Sequence, residues 1–162
     1  MDSAVRPADD QRVGAPQKRR TLDDLLEAAR TRIRRFEPNA AFAARERGAL
    51  IIDIRSNGDR ERNGIVPGSL HIPRTVLEWR LDPDSPWRTP HIGGLDQQLL
   101  VLCDHGCSSI LAAATLVDLG FAHAGDVIGG YAAWQEAGLP TGSAPPDGRG
   151  PNETPGMRPP DS

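Results

Sequence analysis

The 162-residue chain is short of several features that would each mark a class of protein. It has only two cysteines, too few for the disulfide framework of a small secreted domain, so the expected compartment is a reducing cytoplasm. No apolar run approaches the roughly 18–20 residues of a membrane-crossing helix, and no membrane partner is expected. The opening stretch, MDSAVRPADDQRVG, carries acids and lacks the apolar segment of a secretory leader. Aromatic residues are scarce at 4%, and no stacking platform of the kind single-stranded nucleic acid needs accompanies the arginines. No internal repeat is visible.

What remains is an ordinary globular composition, 38% hydrophobic and 25% charged, long enough for one domain with a real core. The net charge of −3 is unevenly spread. Residues 1–36 hold nine Lys/Arg against six Asp/Glu, including Lys18-Arg19-Arg20 and then Arg30, Arg32, Arg34 and Arg35. Acids interleave with these bases, so the run reads as a solvated helix face plus a tail, and no nucleic-acid partner is expected. Residues 1–20 are polar without periodicity, and 141–162 are dominated by Pro, Gly and polar residues. Both are expected to be disordered tails around a single domain spanning 21–140.

Between the tails, strand and helix signals alternate. Thr21 suits an N-cap, with Leu22, Leu25, Leu26, Ala29 and Ile33 following at helical spacing. Pro38 can open a second helix that ends near Gly48. Strands are predicted at 49–54, 69–73, 99–102 and 124–128, a helical turn at Thr75-Val76-Leu77-Glu78-Trp79, a loop over 83–96, and helices from Ser108 to Gly120 and over 131–137. This order predicts an α/β fold in three layers, a mainly parallel sheet covered by helices on both faces. In such folds ligands sit beyond the carboxyl ends of the strands. Both cysteines lie there, in the loop Cys103-Asp104-His105-Gly106-Cys107 between a fully apolar strand and a helix.

A strand-to-helix loop turns successive N–H groups inward, and the helix behind it adds the positive end of its dipole. Gly106 permits the left-handed backbone of a tight curl, and Ser108 and Ser109 can cap the helix. A cysteine sulfur in that nest is held as thiolate near neutral pH and is a good nucleophile. Against this stands the plainer reading of Cys103 as a small apolar residue ending a buried strand. Other cysteine chemistries fit less well. Cys103, His105 and Cys107 lack the spacing of a zinc site, and three residues separate the thiols where a dithiol redox motif has two. A phosphatase loop of Cys, five residues and Arg fails because position 109 is Ser. For Cys107 three roles stay open: a passive loop residue, a resolving thiol, or a relay for sulfur.

Four segments resemble the single-domain rhodaneses, a family of sulfurtransferases. The loop CDHGCSS is similar to their short active-site loop, and LIIDIR to their early strand ending in Asp-x-Arg, here Asp53 and Arg55. GIVPGSLHIP is similar to their Gly-His-Ile-Pro-Gly-Ala segment, and LGFAHAGDVIGGYAAWQEAGLP to their closing element. The resemblance covers about residues 45–140. It implies a rhodanese-like fold in which Cys103 carries a persulfide, Asp104, His105, Gly106, Cys107 and Ser108 bind it through the backbone, and Asp53, Arg55 and Ser109 give structural support. It implies no metal and no organic cofactor. The partners implied are a small sulfur donor, or a protein persulfide, and a thiol or cyanide-like acceptor. Two other classes sit on the same scaffold, a non-catalytic interaction module and a phosphatase or arsenate reductase. Asp104 places a negative charge beside the nucleophile, and the loop itself offers only His105 as a cation. Thiosulfate, a dianion, is therefore expected to be a poor donor relative to a persulfide.

Overall fold

The computed structural model describes Gly14 and residues 18–145. Most of the two expected tails, 1–13, 15–17 and 146–162, lies outside the described residues. Five strands form one all-parallel sheet in the order β1-β5-β4-β2-β3. They are β1 (Arg34–Phe36), β2 (Leu50–Asp53), β3 (Leu70–His71), β4 (Leu99–Leu102) and β5 (Gly125–Val127). Among the described residues six α-helices accompany them, with a 3-10 turn at Arg74–Val76: α1 (Leu22–Arg30), α2 (Pro38–Glu46), α3 (Asn57–Asn63), α4 (Leu77–Leu81), α5 (Ser108–Asp118) and α6 (Gly130–Glu136). No helix among the described residues is long and apolar enough to cross a membrane.

The apolar run that forms β4 is explained by its place at the centre of the sheet. Leu99, Leu100, Val101 and Leu102 are all completely buried, and their alternation divides them between two cores. Leu99 and Val101 pack with Ile52, Ala112, Leu116 and Phe121 beneath α5 and α4. Leu100 and Leu102 pack with Ala41, Ala44, Val127 and Trp134 beneath α2 and α6. Each such side chain contributes about 1.5–3 kcal/mol on burial. Two helical layers therefore clamp the strand whose carboxyl end delivers Cys103.

Several local signals act as the sequence suggests. Thr21 caps α1 in a reciprocal box with Asp24, and Pro38 begins α2. Two elements differ from the expectation. The first helix ends at Arg30, and Arg34–Phe36 become an edge strand paired with β5. The basic run is thus not one solvated face: Arg30 and Arg32 are exposed, whereas Arg35 turns inward against Asp126. Helix α3 has no apolar residue to betray it. It is fixed by the Ser56 cap on Asp59 N–H and by burial of Arg60 against Asp53. After α6 the chain returns to the domain, where Gly142 and Ile65 exchange two backbone hydrogen bonds of 2.8 and 2.9 Å.

Candidate active site

Cys103 follows the last residue of β4 and is 5% exposed. The loop behind it is shaped by Gly106, whose φ of +79° strains any side-chain-bearing residue. A Cβ there would also stand 2.5 Å from the Gly129 nitrogen. With the backbone so curled, the Gly106 N–H donates to Cys103 Sγ at 3.1 Å. Burial pushes the thiol pKa up. Donors that can turn to the thiolate, the Ser109 hydroxyl and N–H, the Ser108 hydroxyl and the Gly106 N–H, outweigh it and leave the pKa below the ordinary thiol value.

The back of the loop is tied to α6. Tyr131 N–H donates to the Cys103 carbonyl at 2.7 Å, and Ala132 N–H to the Asp104 carbonyl at 3.0 Å. This approach requires Gly130, because a Cβ there would lie 2.3 Å from the Cys103 oxygen. In front of the sulfur is an open cleft of about 360 Å³ lined by Ile54, Arg55, Asp59, Asp104, His105 and Cys107, among others. His105, Cys107 and Ser108 are exposed, Asp104 is half-buried, and Gly106 and Ser109 are buried. Both cysteines are free thiols.

The structure brings together all the residues singled out in the sequence, but some act differently. Cys107, not a serine, occupies the N-cap of α5 and makes no side-chain cap bond. Ser109 donates instead to Asp126 Oδ2 at 2.8 Å. Asp53 is fully buried and binds Arg55 through both carboxylate oxygens (3.0 and 2.9 Å), while Arg60 Nε reaches it at 3.3 Å. Arg55 also lies over the Tyr131 ring, 4.1 Å from its centroid, and donates to the Gly64 carbonyl. Its Nη1 makes no hydrogen bond and stands 3.7 Å from Asp104 Oδ1.

Two arginines from outside the loop also stand near the nucleophile. Arg55 approaches from the end of β2. Arg35 approaches from β1, bonded to Asp126 (2.9 and 3.1 Å) and to the Gly106 carbonyl at 3.2 Å. Arg35 escaped the sequence reading because its partner is 91 positions away. Asp104 also has a carboxylate neighbour. Burial and the Asp59 charge raise its pKa, against the pull of Arg55. Among the described residues, no group of three or more His, Cys, Asp or Glu is placed to hold a metal ion.

Known proteins match this arrangement in sequence and fold. The family model of the rhodanese-like domain matches residues 38–137. A thiosulfate sulfurtransferase GlpE of Pseudomonas syringae pv. syringae is 36% identical over 106 residues, covering 65% of this chain and 90% of its own. One from Stutzerimonas stutzeri is 37% identical over 105 residues, covering 65% and 87%. A solved structure from Rhodopseudomonas palustris, described as a possible tyrosine phosphatase, is 34% identical with a TM-score of 0.70, covering 79% of this chain and 99% of its own. With its all-parallel sheet, its cysteine loop and a family match over most of the described residues, the chain belongs to the rhodanese-like domain family.

Proposed function

We propose that the chain is a rhodanese-type sulfurtransferase with Cys103 as its nucleophile. The observation that carries this reading is the Cys103 sulfur at the floor of an open cleft, hydrogen-bonded by Gly106 and acidified by Ser108 and Ser109. The thiolate attacks the outer, sulfane sulfur of a donor. A new S–S bond forms to Cys103, the donor's own bond to that sulfur breaks, and the rest of the donor leaves with the electron pair. Sulfite is the leaving group from thiosulfate, and a thiolate from a persulfide. An acceptor thiolate or cyanide then attacks the outer sulfur, and Cys103 departs as thiolate. The two half-reactions balance without an external oxidant or reductant, and ping-pong kinetics follow.

The loop amides that favour a thiolate also favour the terminal anion of the persulfide, so the site is preorganised for both resting forms. Asp104, His105 and Cys107 face the entering donor, Arg55 reaches the same cleft while holding Asp53, and Asp53 and Ser109 support the loop from behind. The names of the curated relatives favour thiosulfate as one donor. Arg55 and Arg35 reduce the electrostatic penalty that Asp104 alone would impose on a dianion. A reducing cytoplasm suits a mechanism that needs a free thiol. The name of the R. palustris neighbour brings a phosphatase to mind, but here Ser109 stands where that loop needs arginine. Arg35 does not substitute for it, being held by Asp126 and the Gly106 carbonyl.

The test is intact mass after incubation with thiosulfate or a small-thiol persulfide. The wild type is expected to gain about 32 Da, one sulfur atom, and to lose it to cyanide or a thiol. Cys103→Ser is expected to gain none while remaining folded. Sulfur uptake by the Ser variant at the wild-type rate rules out Cys103 as the carrier.

A further inference from the structure

Arg35 does not line the cleft, yet it is the cation most closely wired to the loop. Three of its five N–H donors are engaged. Nε donates to Asp126 Oδ1, one Nη2 hydrogen goes to Asp126 Oδ2, and the other goes to the Gly106 carbonyl. On the far side of Asp126, Oδ2 also accepts from the Ser109 hydroxyl. That hydroxyl has a single proton and lies within reach of both Asp126 and the Cys103 sulfur. It can donate to only one at a time. Asp126 is completely buried, and a buried carboxylate without a counter-charge retains every donor it can reach. A bidentate guanidinium supplies two strong charge-assisted bonds and lessens that hold.

We propose that Arg35 is a positioning residue for the nucleophile. By neutralising Asp126 it releases the Ser109 proton toward Cys103, and by holding the Gly106 carbonyl it fixes the curl in which the Gly106 N–H meets the same sulfur. Both effects favour the sulfur as an anion, whether thiolate or persulfide. The guanidinium and the thiolate also attract each other through space. The other charged or titratable groups around Cys103 are Arg55 after β2, Asp59 on α3, Asp104, His105 and Cys107 in the loop, and Tyr131 on α6. All of them remain in place in the variants below, so their contributions cancel in the comparison.

The assignment rests on Cys103 being the nucleophile, and its test does not use sulfur transfer. The rate of iodoacetamide alkylation at Cys103, read by peptide mass, is followed against pH. Arg35→Met is expected to raise the inflection by about one unit, a roughly tenfold lower rate on its acid side. Arg35→Lys keeps the charge but loses the fork geometry, and is expected to recover about half of that shift. Arg35→Met/Asp126→Asn is expected to return close to the wild-type inflection, because no uncompensated carboxylate then competes for Ser109. A purely structural role predicts the double variant to be at least as perturbed as the single one. If Arg35→Met does not fold, the lysine and double variants carry the comparison. A wild-type profile in folded Arg35→Met, or in Arg35→Lys a shift that the double variant does not reduce, overturns the assignment. A wild type with a low inflection that never gains sulfur from thiosulfate or a small persulfide would instead sink the sulfurtransferase reading and leave Arg35's role standing.

Discussion

Two buried aspartates flank the cysteine loop, and they are built in opposite ways. Asp53 takes its arginines from nearby sequence, Arg55 two positions on and Arg60 seven positions on. Asp126 takes Arg35 from 91 positions back, across the sheet from β5 to β1. The first centre is satisfied mostly within itself, because Arg55 is also stacked on Tyr131 and bonded to Gly64, with only Nη1 left toward Asp104 at the cleft. The second is open toward the chemistry, because its arginine and its serine both act on the loop around Cys103. The same pair of residue types thus serves as an anchor in one place and as a tuning element in the other.

The comparison breaks most visibly at Asp53. Asp53→Ala leaves Arg55 and Arg60 buried without their carboxylate, and a loss of about 3–5 kcal/mol is expected in urea or thermal unfolding. A loss under about 1 kcal/mol would mean that this centre is not the anchor. Gly106→Ala comes next. It places a side chain at φ +79° and 2.5 Å from the Gly129 nitrogen, a strain of about 1–3 kcal/mol. The loop must shift to relieve it, so sulfur loading of Cys103 is expected to slow by about tenfold or more. Rapid-quench mass spectrometry measures this, and an unchanged rate would show that the curl is not required.

Smaller effects sharpen the picture at the mouth of the cleft. Asp104 is partly exposed and already faces Arg55, so solvent and the guanidinium both screen it. Asp104→Asn is expected to raise thiosulfate kcat/KM by only about threefold at low ionic strength, and by less as salt is added. Steady-state kinetics with thiosulfate and a small persulfide distinguish a charge effect from a general one. The smallest effect concerns pH and stability. The Cys103 pKa lies below its ordinary value of 9.0, so the native state favours the thiolate. That contribution is fully present above the unfolded thiol pKa and is lost as pH falls through the folded one. The melting temperature of wild type relative to Cys103→Ser should therefore rise from about pH 6 to about pH 9.

Sequence alone revealed the parts of this molecule whose causes are local. Leu99–Leu102 reads as a buried strand because it sits at the sheet centre with a core on each side. Gly106 marks a tight curl, and Asp53 with Arg55 is legible as a pair only through the resemblance to the family's Asp-x-Arg. Helix α3, all polar, carries no periodic apolar signal, since its burial is a single arginine held by a charge. Strand β1 is three residues long, and its two arginines match the bases before it in composition. Only pairing with β5 separates Arg35 from Arg32, and pairing across 91 positions leaves no mark in a local window.

The ties between α6 and the loop have one more consequence. Tyr131 and Ala132 hold the carbonyls of Cys103 and Asp104 through backbone bonds, and the donors to the sulfur are the Gly106 and Ser109 amides and the Ser108 and Ser109 hydroxyls, with no side chain from 104, 105 or 107. Peptide groups are the same whatever residue carries them. Positions 104, 105 and 107, whose side chains point to the cleft or to solvent, can therefore be exchanged without dismantling the reactive centre. The glycines at 106 and 130 cannot. Such a layout separates inheritance from invention. A lineage can change which sulfur compound it accepts by redrawing three letters of the loop that face the cleft or solvent, while the machinery that holds the sulfur passes on intact.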